Sequence, residues 1–319
     1  MRAEKNLLSV APTELSNKSL TDEYCLIAEW LANLDNQQTR RAYRTDILGF
    51  FQIIGVRSVK DLQDIVRGHV LIWRASMEKG GLATATRRRK LAALASLFDY
   101  LIERDPCHTR NPVHGVRRPC TESYEGKTPA LSSAQAKSLL DAPDEYSEKG
   151  LRDRAVLAVL LYHGLRRQEV AQLRVCDLQV RDGCVHLRVH GKGGKLRFIP
   201  LHGDAAKNIT QYLNRTRNGA EKNSFMFVSL RGSKAGASLS ADGIYKVVCN
   251  HAKSAGVHVD GLGVHGLRVT AATNALEHQA DIAHVQHWLG HASISTTRLY
   301  DRRQNRAADS PTFKVHYEH

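Results

Sequence analysis

Residues 289–300 read LGHASISTTRLY, and this stretch predicts two short helices separated by a break. Gly290 favours the end of one helix, and Ser293 is a suitable N-cap for the next. In one continuous helix, the nine residues from His291 to Tyr300 would turn through about 900° and leave the two side chains on opposite faces. The break is therefore what allows them to meet. A tyrosine alone is a weak nucleophile, so the groups that activate it must come from elsewhere in the chain.

The charge balance predicts a polyanionic partner. The chain has 319 residues, with 46 Lys and Arg against 32 Asp and Glu, and a formal net charge of +14. A surplus of this size favours nucleic acid first and an anionic membrane surface second, and a basic protein without such a partner is the alternative. An apolar fraction of 42% and a charged fraction of 24% are typical of a globular protein, and the length suits two domains.

The sequence carries no signal for membrane insertion, secretion or metal binding. It has no apolar run of roughly 18 residues, which a spanning helix needs, and residues 1–19 contain no apolar region of useful length. The six cysteines show neither a Cys-x-x-Cys pair nor the spacing of a zinc site. We therefore expect a cytoplasmic protein with reduced thiols and no bound metal.

Apolar residues at helical spacing predict a four-helix unit at residues 20–112. The predicted helices begin near Leu20 with Thr21 as N-cap, cover Gln38–Ile54 and Gly68–Lys79, and end with a fourth that follows a cap at Thr84 or Thr86 and carries Leu91, Leu94, Phe98, Leu101 and Ile102. Residues 1–19 predict a flexible N-terminus, and residues 113–128, which contain Gly, Pro and polar residues without an apolar period, predict a linker.

Basic residues at two of these helix starts predict contacts with phosphate groups. In the first turns of the fourth helix, each cation opposes the helix dipole at a cost of about 0.3–1 kcal/mol, and acidic residues are more usual there. We therefore prefer phosphate binding over a merely solvated face as the reason for the cations of this helix. The candidates are Arg40, Arg41, Arg44, Arg87, Arg88, Arg89 and Lys90.

Residues 129–305 predict a second, mainly helical unit with one small antiparallel sheet. Ser132 or Ser133 caps its first helix, and an apolar helix over 151–165 is expected to be buried on most sides. Between 178 and 201 the apolar period changes to two, with turn signals at 182–183 and 191–194, which predicts three antiparallel strands. Further helices are predicted near 204–218, 240–255, 266–278, 281–289 and 294–302.

Four local patterns in this unit carry groups suited to phosphate chemistry. They are Arg166 in GLRRQEV (164–170), Lys192 in the turn HGKGGK (190–195), His265 with Arg268 in HGLR (265–268), and His291 with Tyr300 in the opening stretch. Each alone has an ordinary structural interpretation: a surface arginine, a hairpin turn, a buried histidine or a packed tyrosine. The occurrence of all four in this order is what points to a function.

This ordered set resembles the catalytic domain of the tyrosine recombinase family, which includes phage integrases and Xer-like proteins. The family pattern is an Arg in GLR, a Lys on a β-hairpin, HxxR, LGH and a Tyr nine residues after the last His, which here are Arg166, Lys192, His265, Arg268, His291 and Tyr300. Residues 20–112 resemble, less specifically, the helical SAM-like core-binding domain of the family. One position departs from the pattern: Val269 stands where relatives often have histidine, and no chemical role is attached to it.

The resemblance implies a site-specific DNA recombinase. Such an enzyme cleaves and rejoins duplex DNA at specific sites through a 3′-phosphotyrosyl intermediate and exchanges strands through a Holliday junction. It implies a homotetramer on DNA, no metal or nucleotide cofactor, and a C-terminal tail, here 306–319, that docks on a neighbouring protomer unless it is a frayed terminus. A type IB topoisomerase-like nicking and closing enzyme and a non-catalytic DNA-binding protein are the alternatives.

The resemblance also implies a role for each matched residue, and the residue types suit those roles. Arg166 and Arg268 would bind the charge on the phosphate, because guanidinium groups are always charged and fork-shaped. The two histidines would donate hydrogen bonds or move the proton of Tyr300, and Lys192 would protonate the departing 5′ oxygen. Lys195 and Arg197, which follow the predicted turn, join the candidate DNA contacts.

Overall fold

The computed structural model describes residues 22–58, 60–104, 109–120, 128–191, 194–301 and 312. The predictions for residues 1–19, Thr21 and Lys192, and for all of the tail except Thr312, lie outside this set. The chain divides into two compact units, Met1–Glu122 and Ser123–His319, here called the N-terminal and C-terminal units. Within the described residues, no helix has both the length and the apolar character needed to cross a membrane.

The N-terminal unit contains the four predicted helices. They are α1 (Asp22–Ala32), α2 (Gln37–Ile54), α3 (Arg67–Lys79) and α4 (Thr84–Arg104), with a 3-10 turn at Lys60–Asp64. The predicted apolar stripe of α4 forms the centre of the core, since Leu91, Leu94 and Leu101 are fully buried. Phe50 of α2 and Trp73 of α3 belong to the same cluster. Burial of aromatic side chains of this size stabilises a small helical unit strongly.

The packing of the N-terminal unit extends past Pro112, into the predicted linker. The side-chain amide of Asn111 donates to the carbonyl oxygen of Ala95 at 2.9 Å, and its oxygen accepts from the backbone N–H of Val113 at 2.9 Å. This turn places Val113 and Val116 in the core, where they are 4% and 7% exposed. The sequence did not predict this burial, because the segment packs as a turn and its apolar residues therefore show no helical or strand spacing.

The C-terminal unit is mainly helical with one small sheet, as predicted. Its helices are α5 (Ser133–Asp141), α6 (Glu148–His163), α7 (Arg167–Gln172), α8 (Gly203–Thr216), α9 (Ala241–Ser254), α10 (Val264–Glu277), α11 (Ile282–Leu289) and α12 (Ile294–Arg298). The strands β1 (Leu178–Arg181), β2 (Cys184–His190) and β3 (Leu196–Pro200) form an antiparallel sheet in the order β1-β2-β3.

Helix α6 is the central element of this unit. Its residues 155–160 are fully buried, and it packs against α8 and α10. It ends at Gly164, which adopts a left-handed conformation with φ of 58°. A side chain here would bring a Cβ atom within 2.8 Å of Leu289, so this glycine allows the ends of α6 and α11 to approach each other. The chain that leaves Gly164 carries Arg166 to the same place.

Two local features of the C-terminal unit were not predicted correctly. Helix α7 was missed, because six residues are too few to show a helical period. Helix α12 was predicted to reach residue 302 and to contain Tyr300, but it ends at Arg298. The backbone N–H of Tyr300 donates to the carbonyl of Thr297 at 2.9 Å, and the carbonyl of Tyr300 accepts from the hydroxyl of Thr273 at 3.2 Å. These bonds tighten the chain into a turn, so Tyr300 follows the helix.

A buried ion cluster joins α6 to its surroundings. Asp153 is fully buried and accepts from Arg152 at 2.6 Å and from Lys149 at 3.2 Å. A ring nitrogen of His251 in α9 lies 3.0 Å from the same carboxylate. Arg152 also donates to the carbonyl of Val228 at 3.0 Å. The cluster therefore fixes the start of α6 to α9 and to the segment near Val228.

We predict that Gly150→Ala destabilises the protein by about 2–3 kcal/mol, because the added methyl group has no space. A Cβ atom at Gly150 would lie 1.7 Å from the carbonyl oxygen of Asp144. The matched control is Gly203→Ala, also in the first turn of a helix, where a Cβ atom meets nothing within 4 Å. Thermal unfolding followed by circular dichroism should show a lower Tm for Gly150→Ala and an unchanged or slightly raised Tm for Gly203→Ala. Equal melting temperatures would contradict the prediction.

Candidate active site

The C-terminal end of α11 binds three arginine side chains from three separate parts of the chain. Arg197 of β3 donates through Nε to the carbonyl of Trp288 at 3.2 Å. Arg268 of α10 donates through Nη2 to the carbonyl of Leu289 at 2.7 Å, and Arg166 donates through Nη2 to the carbonyl of Gly290 at 3.2 Å. The last carbonyls of a helix lack partners within the helix and carry the negative end of its dipole. They are therefore suitable acceptors for guanidinium groups.

Gly290 ends α11 in the way that the sequence predicted. It adopts a left-handed conformation with φ of 68° and closes the helix through its backbone N–H. After this break, the side chain of Ser293 caps α12 by accepting from the backbone N–H of Ser295 at 3.3 Å. The change of direction brings the ring centroids of His291 and Tyr300 to 5.6 Å. A continuous helix could not do this.

Arg268 is almost completely buried, at 1% exposure. Its second bond runs from Nη1 to the carbonyl of Gly164 at 2.5 Å, so both ends of the guanidinium are fixed by backbone oxygens. Burial and the neighbouring charge of Arg166 lower the pKa of Arg268 to about 10. The group therefore stays charged at neutral pH.

Glu169 of α7 lies between Arg166 and Arg197. Its Oε1 accepts from Nη1 of Arg166 at 2.8 Å and from Nη1 of Arg197 at 2.9 Å. Its Oε2 accepts from the backbone N–H of Arg166 at 2.8 Å and from Nη2 of Arg197 at 2.8 Å. Burial raises the pKa of this carboxyl, but the bonds from Arg197 and from the Arg166 backbone outweigh burial and lower it. Glu169 is thus an ionised group with four hydrogen bonds.

The hydroxyl of Tyr300 lies among these groups. Tyr300 is 4% exposed, and its oxygen is 3.4 Å from Nε2 of His265. Burial raises the pKa of the phenol, and the charges of Arg268 and Arg166 oppose this effect. Cations beside a phenol stabilise the phenolate that forms when the proton leaves.

The two histidines of the site are held in the neutral form. Burial, followed by the charges of Arg268 and Arg166, lowers the pKa of His291 to about 4. Partial burial and the same two arginines also lower the pKa of His265. Nδ1 of His291 lies 2.9 Å from the hydroxyl of Thr297, a fully buried residue of α12. At neutral pH the site therefore combines neutral imidazoles with charged guanidiniums.

The structure brings together five of the six predicted catalytic residues: Arg166, His265, Arg268, His291 and Tyr300. Lys192 lies outside the described residues, between β2 and β3. The sequence reasoning missed Glu169 and Thr297, although both lie inside the quoted motifs. The spacing of three residues from Arg166 to Glu169 could have indicated an ion pair, because such residues are neighbours on a helix.

Most of the predicted phosphate-binding residues on α4 have partners inside the N-terminal unit. Arg89 and Lys90 form ion pairs with the buried carboxylate of Asp46, the latter at 3.2 Å. Arg87 pairs with Glu78 at 2.7 Å. These two carboxylates compensate part of the positive charge at the start of α4, so part of that charge has a structural role inside the unit.

Some of the remaining candidates are hydrogen-bonded within the protein, and others are more accessible to solvent. Arg40 donates to the carbonyl of Leu34 at 2.5 Å and to that of Ala32 at 3.0 Å, which ties α2 to the end of α1. Arg88 donates to the carbonyl of Pro119 at 2.9 Å. By contrast, Arg41 and Lys195 are exposed and Arg44 is half-buried. The side chain of Arg197 is only 9% exposed.

The described residues contain no group of three or more His, Cys, Asp or Glu side chains placed to hold a metal ion. Among the described residues, Arg166, Arg197 and Arg268 carry the positive charge around Tyr300.

Two family models match the chain. The model of the phage integrase family covers residues 129–306, and the model of the phage integrase N-terminal SAM-like domain covers residues 27–105. Curated relatives align along most of the chain. Tyrosine recombinase XerC of Herpetosiphon aurantiacus is 32% identical over 286 residues, which cover 86% of this chain and 90% of the relative. Tyrosine recombinase XerD of Pseudomonas aeruginosa is 34% identical over 281 residues, which cover 86% of this chain and 90% of the relative.

Solved structures share the fold. The XerH site-specific recombinase, bound to palindromic difH substrate in a post-cleavage complex, superposes with a TM-score of 0.69 at 23% identity over 86% of this chain and 80% of that one. A lambda integrase tetramer bound to a Holliday junction superposes with a TM-score of 0.66 at 19% identity over 90% of this chain and 79% of that one. Because the integrase model covers more than half of the chain and the curated relatives align along most of it, the chain belongs to the phage integrase family, as a tyrosine-type site-specific DNA recombinase.

Proposed function

We propose that Tyr300 cleaves one strand of a specific duplex DNA site and becomes linked to the 3′ phosphate, and that the partner strand is then joined through a Holliday junction. The observation that carries this proposal is the position of the Tyr300 hydroxyl beside Arg268, Arg166 and two neutral histidines. A nucleophile, a proton acceptor and two cations for one phosphate thereby lie in a single site.

The proposed cleavage step follows from these contacts. The phenol oxygen of Tyr300 forms a bond to phosphorus as the bond to the 5′ oxygen breaks, and its proton passes to Nε2 of His265, which lies 3.4 Å away. Arg166 and Arg268 bind the non-bridging oxygens, on which charge accumulates. Lys192 protonates the departing 5′ oxygen. Religation is the reverse of this step and needs no cofactor, because the phosphotyrosine keeps the bond energy.

His291 has a separate role in the proposal. Its Nδ1 is engaged by the hydroxyl of Thr297, so Nε2 is the ring nitrogen left for a phosphate oxygen. Since its pKa is lowered to about 4, the ring of His291 is neutral at neutral pH. The tautomer then decides which ring nitrogen donates a hydrogen bond and which accepts one. If Nε2 donates to a phosphate oxygen, Nδ1 carries no proton and accepts from the hydroxyl of Thr297, and this contact orients the ring.

We also propose a domain organisation and an assembly. Residues 20–112 form a DNA-binding domain, whose core also includes Val113 and Val116 of the predicted linker at 113–128, and residues 129–305 form a catalytic domain. The net charge of +14 and the exposed Arg41 and Lys195 support contact with duplex DNA. The lambda integrase tetramer on a Holliday junction, which shares the fold, supports a homotetramer here. Residues 306–319 dock on a neighbouring protomer in this arrangement.

The covalent step can be tested with the protein and selected DNA. A duplex is first isolated from a random-sequence pool by binding to the Tyr300→Phe protein. It is then nicked at successive positions, so that a cleaved short strand diffuses away and cannot be rejoined. We expect the unaltered protein to form an adduct that survives denaturation, and Tyr300→Phe to bind the duplex without forming one. An adduct that persists in Tyr300→Phe would contradict the assignment of the nucleophile.

The role of Thr297 can be tested with substitutions that preserve the shape of α12. Thr297→Val removes the hydroxyl that contacts His291, and we expect about tenfold slower adduct formation, which corresponds to about 1.4 kcal/mol. Thr297→Ser keeps the hydroxyl and should cleave at nearly the original rate. Thr296→Val, at an exposed position of the same helix, is the control. If Thr297→Val and Thr296→Val cleave equally fast, the hydrogen bond has no role in the reaction.

The tail can be tested by truncation. Removal of residues 306–319 should reduce the assembly of two duplexes into one complex, as measured by native gel electrophoresis, because a contact between protomers is lost. Binding of the protein to a single duplex should change little. Unchanged assembly would identify the tail as a frayed terminus.

A further inference from the structure

Arg197 lies inside the C-terminal unit, although its sequence position suggested a DNA contact. Its side chain is 9% exposed, and each of its three nitrogens donates a hydrogen bond within the protein. Two of these bonds reach the carboxylate of Glu169, and the third reaches the carbonyl of Trp288. Arg268 is buried as well, but its two bonds go to backbone carbonyls, whereas both Nη atoms of Arg197 bind one carboxylate. The geometry of Arg197 is therefore that of a buried ion pair.

The negative charge of Glu169 opposes phosphate binding by Arg166, and Arg197 can offset that charge. A carboxylate that accepts from Arg166 at 2.8 Å orients that guanidinium, but it also offsets its charge and competes with a phosphate for it. The competition is strong because Glu169 is only 5% exposed, so water weakens the attraction little. Arg197 places a second cation on the same two oxygens, at 2.9 and 2.8 Å.

We propose that Arg197 is a positioning residue that takes up the charge of Glu169, so that Glu169 orients Arg166 without withdrawing it from the phosphate. This inference rests on the proposed role of Arg166 in phosphate binding. The third bond of Arg197, to Trp288, fixes the pair to the end of α11, where Arg166 also donates. Arg197 therefore sets both the charge and the location of Glu169, and acts on the reaction only through Arg166.

A second substitution at Glu169 distinguishes charge neutralisation by Arg197 from a purely structural role. If Arg197 only stabilised the fold, its removal would lower stability, and a second change at Glu169 would add further loss. If Arg197 neutralises Glu169, then removing the carboxylate charge as well should restore part of the activity. A suppressor relation between the two positions is therefore specific to this proposal.

The first test separates DNA affinity from the rate of cleavage. With the selected nicked duplex, we expect Arg197→Gln to slow adduct formation at saturating protein by about a hundredfold, as for a displaced positioning group. Its half-saturating concentration and the salt dependence of binding should stay as in the unaltered protein. Lys195 lies two residues earlier and is exposed. We expect Lys195→Gln to show the pattern of a lost phosphate contact instead, with weaker binding and a salt slope reduced by about one.

The second test uses the pair. Arg197→Gln with Glu169→Gln should form the adduct about tenfold faster than Arg197→Gln alone, because the uncompensated carboxylate is gone. Arg197→Lys keeps a positive charge but cannot form both bonds to Glu169, so its rate should lie between those of Arg197→Gln and the unaltered protein. Thermal unfolding identifies the variants that fold. If Arg197→Gln does not fold, the same comparison with Glu169→Gln is made with Arg197→Lys.

Three results would overturn the inference: an Arg197→Gln rate equal to that of the unaltered protein, a loss confined to DNA affinity and salt slope, or a double variant no faster than Arg197→Gln. Failure of the proposed function gives a different result, since the unaltered protein would then form no adduct. An adduct with the unaltered protein and an equal one with Arg197→Gln would reject the role of Arg197 alone.

Discussion

The interaction on which the site depends is the donation of three guanidinium groups to three consecutive carbonyls at the end of α11. Arg197, Arg268 and Arg166 reach Trp288, Leu289 and Gly290 in that order. A buried charge without a partner costs several kcal/mol, so these groups need acceptors. Backbone carbonyls supply them without adding a full negative charge. Glu169 is the one carboxylate in this group, so two of the three positive charges stay uncompensated within it.

Burial and that residual charge together explain the ionisation states around Tyr300. Burial first, and then the charges of Arg268 and Arg166, lower the pKa values of His291 and His265, so these imidazoles can accept or orient a proton in the neutral form. The residual charge also favours the phenolate of Tyr300 against the effect of burial. A phosphate with its negative oxygens fits this field, because the arginines are fixed before it arrives and need little reorganisation. The same electrostatic cause thus acts on nucleophile, base and substrate.

Much of the fold and most of the site could be predicted from the sequence. The helices of both units, the three strands and the break at Gly290 follow from periodicity and capping, which are local properties. Helix α7 could not be found in that way, because its six residues are too few to show a period and are fixed by contacts with α6, α9 and β2. The same holds for the end of α12, where the hydroxyl of Thr273, distant in sequence, accounts for the turn at Tyr300.

The basic residues show where local reasoning fails. Asp46 lies more than 40 residues before Arg89 in the sequence, so no local pattern reveals that it pairs with Arg89 and Lys90. The inward orientation of Arg197 could have been predicted in part. In β3 it shares a face with Ile199, which is 2% exposed, and it pairs with the buried Val189 of β2. The alternation of a half-buried strand therefore placed its side chain inward. Charge alone suggested the opposite.

The most direct measurement of the central claim, that the held arginines offset charge on a phosphate, uses DNA with a neutral methylphosphonate at the cleaved position. Arg268→Ala and Arg166→Ala should cleave ordinary DNA at least about a hundredfold more slowly than the unaltered protein. On the methylphosphonate, which lacks the negative charge, most of that difference should disappear. An equal loss on both substrates would contradict the account, because it would mean that these arginines act in some way other than by neutralising the phosphate.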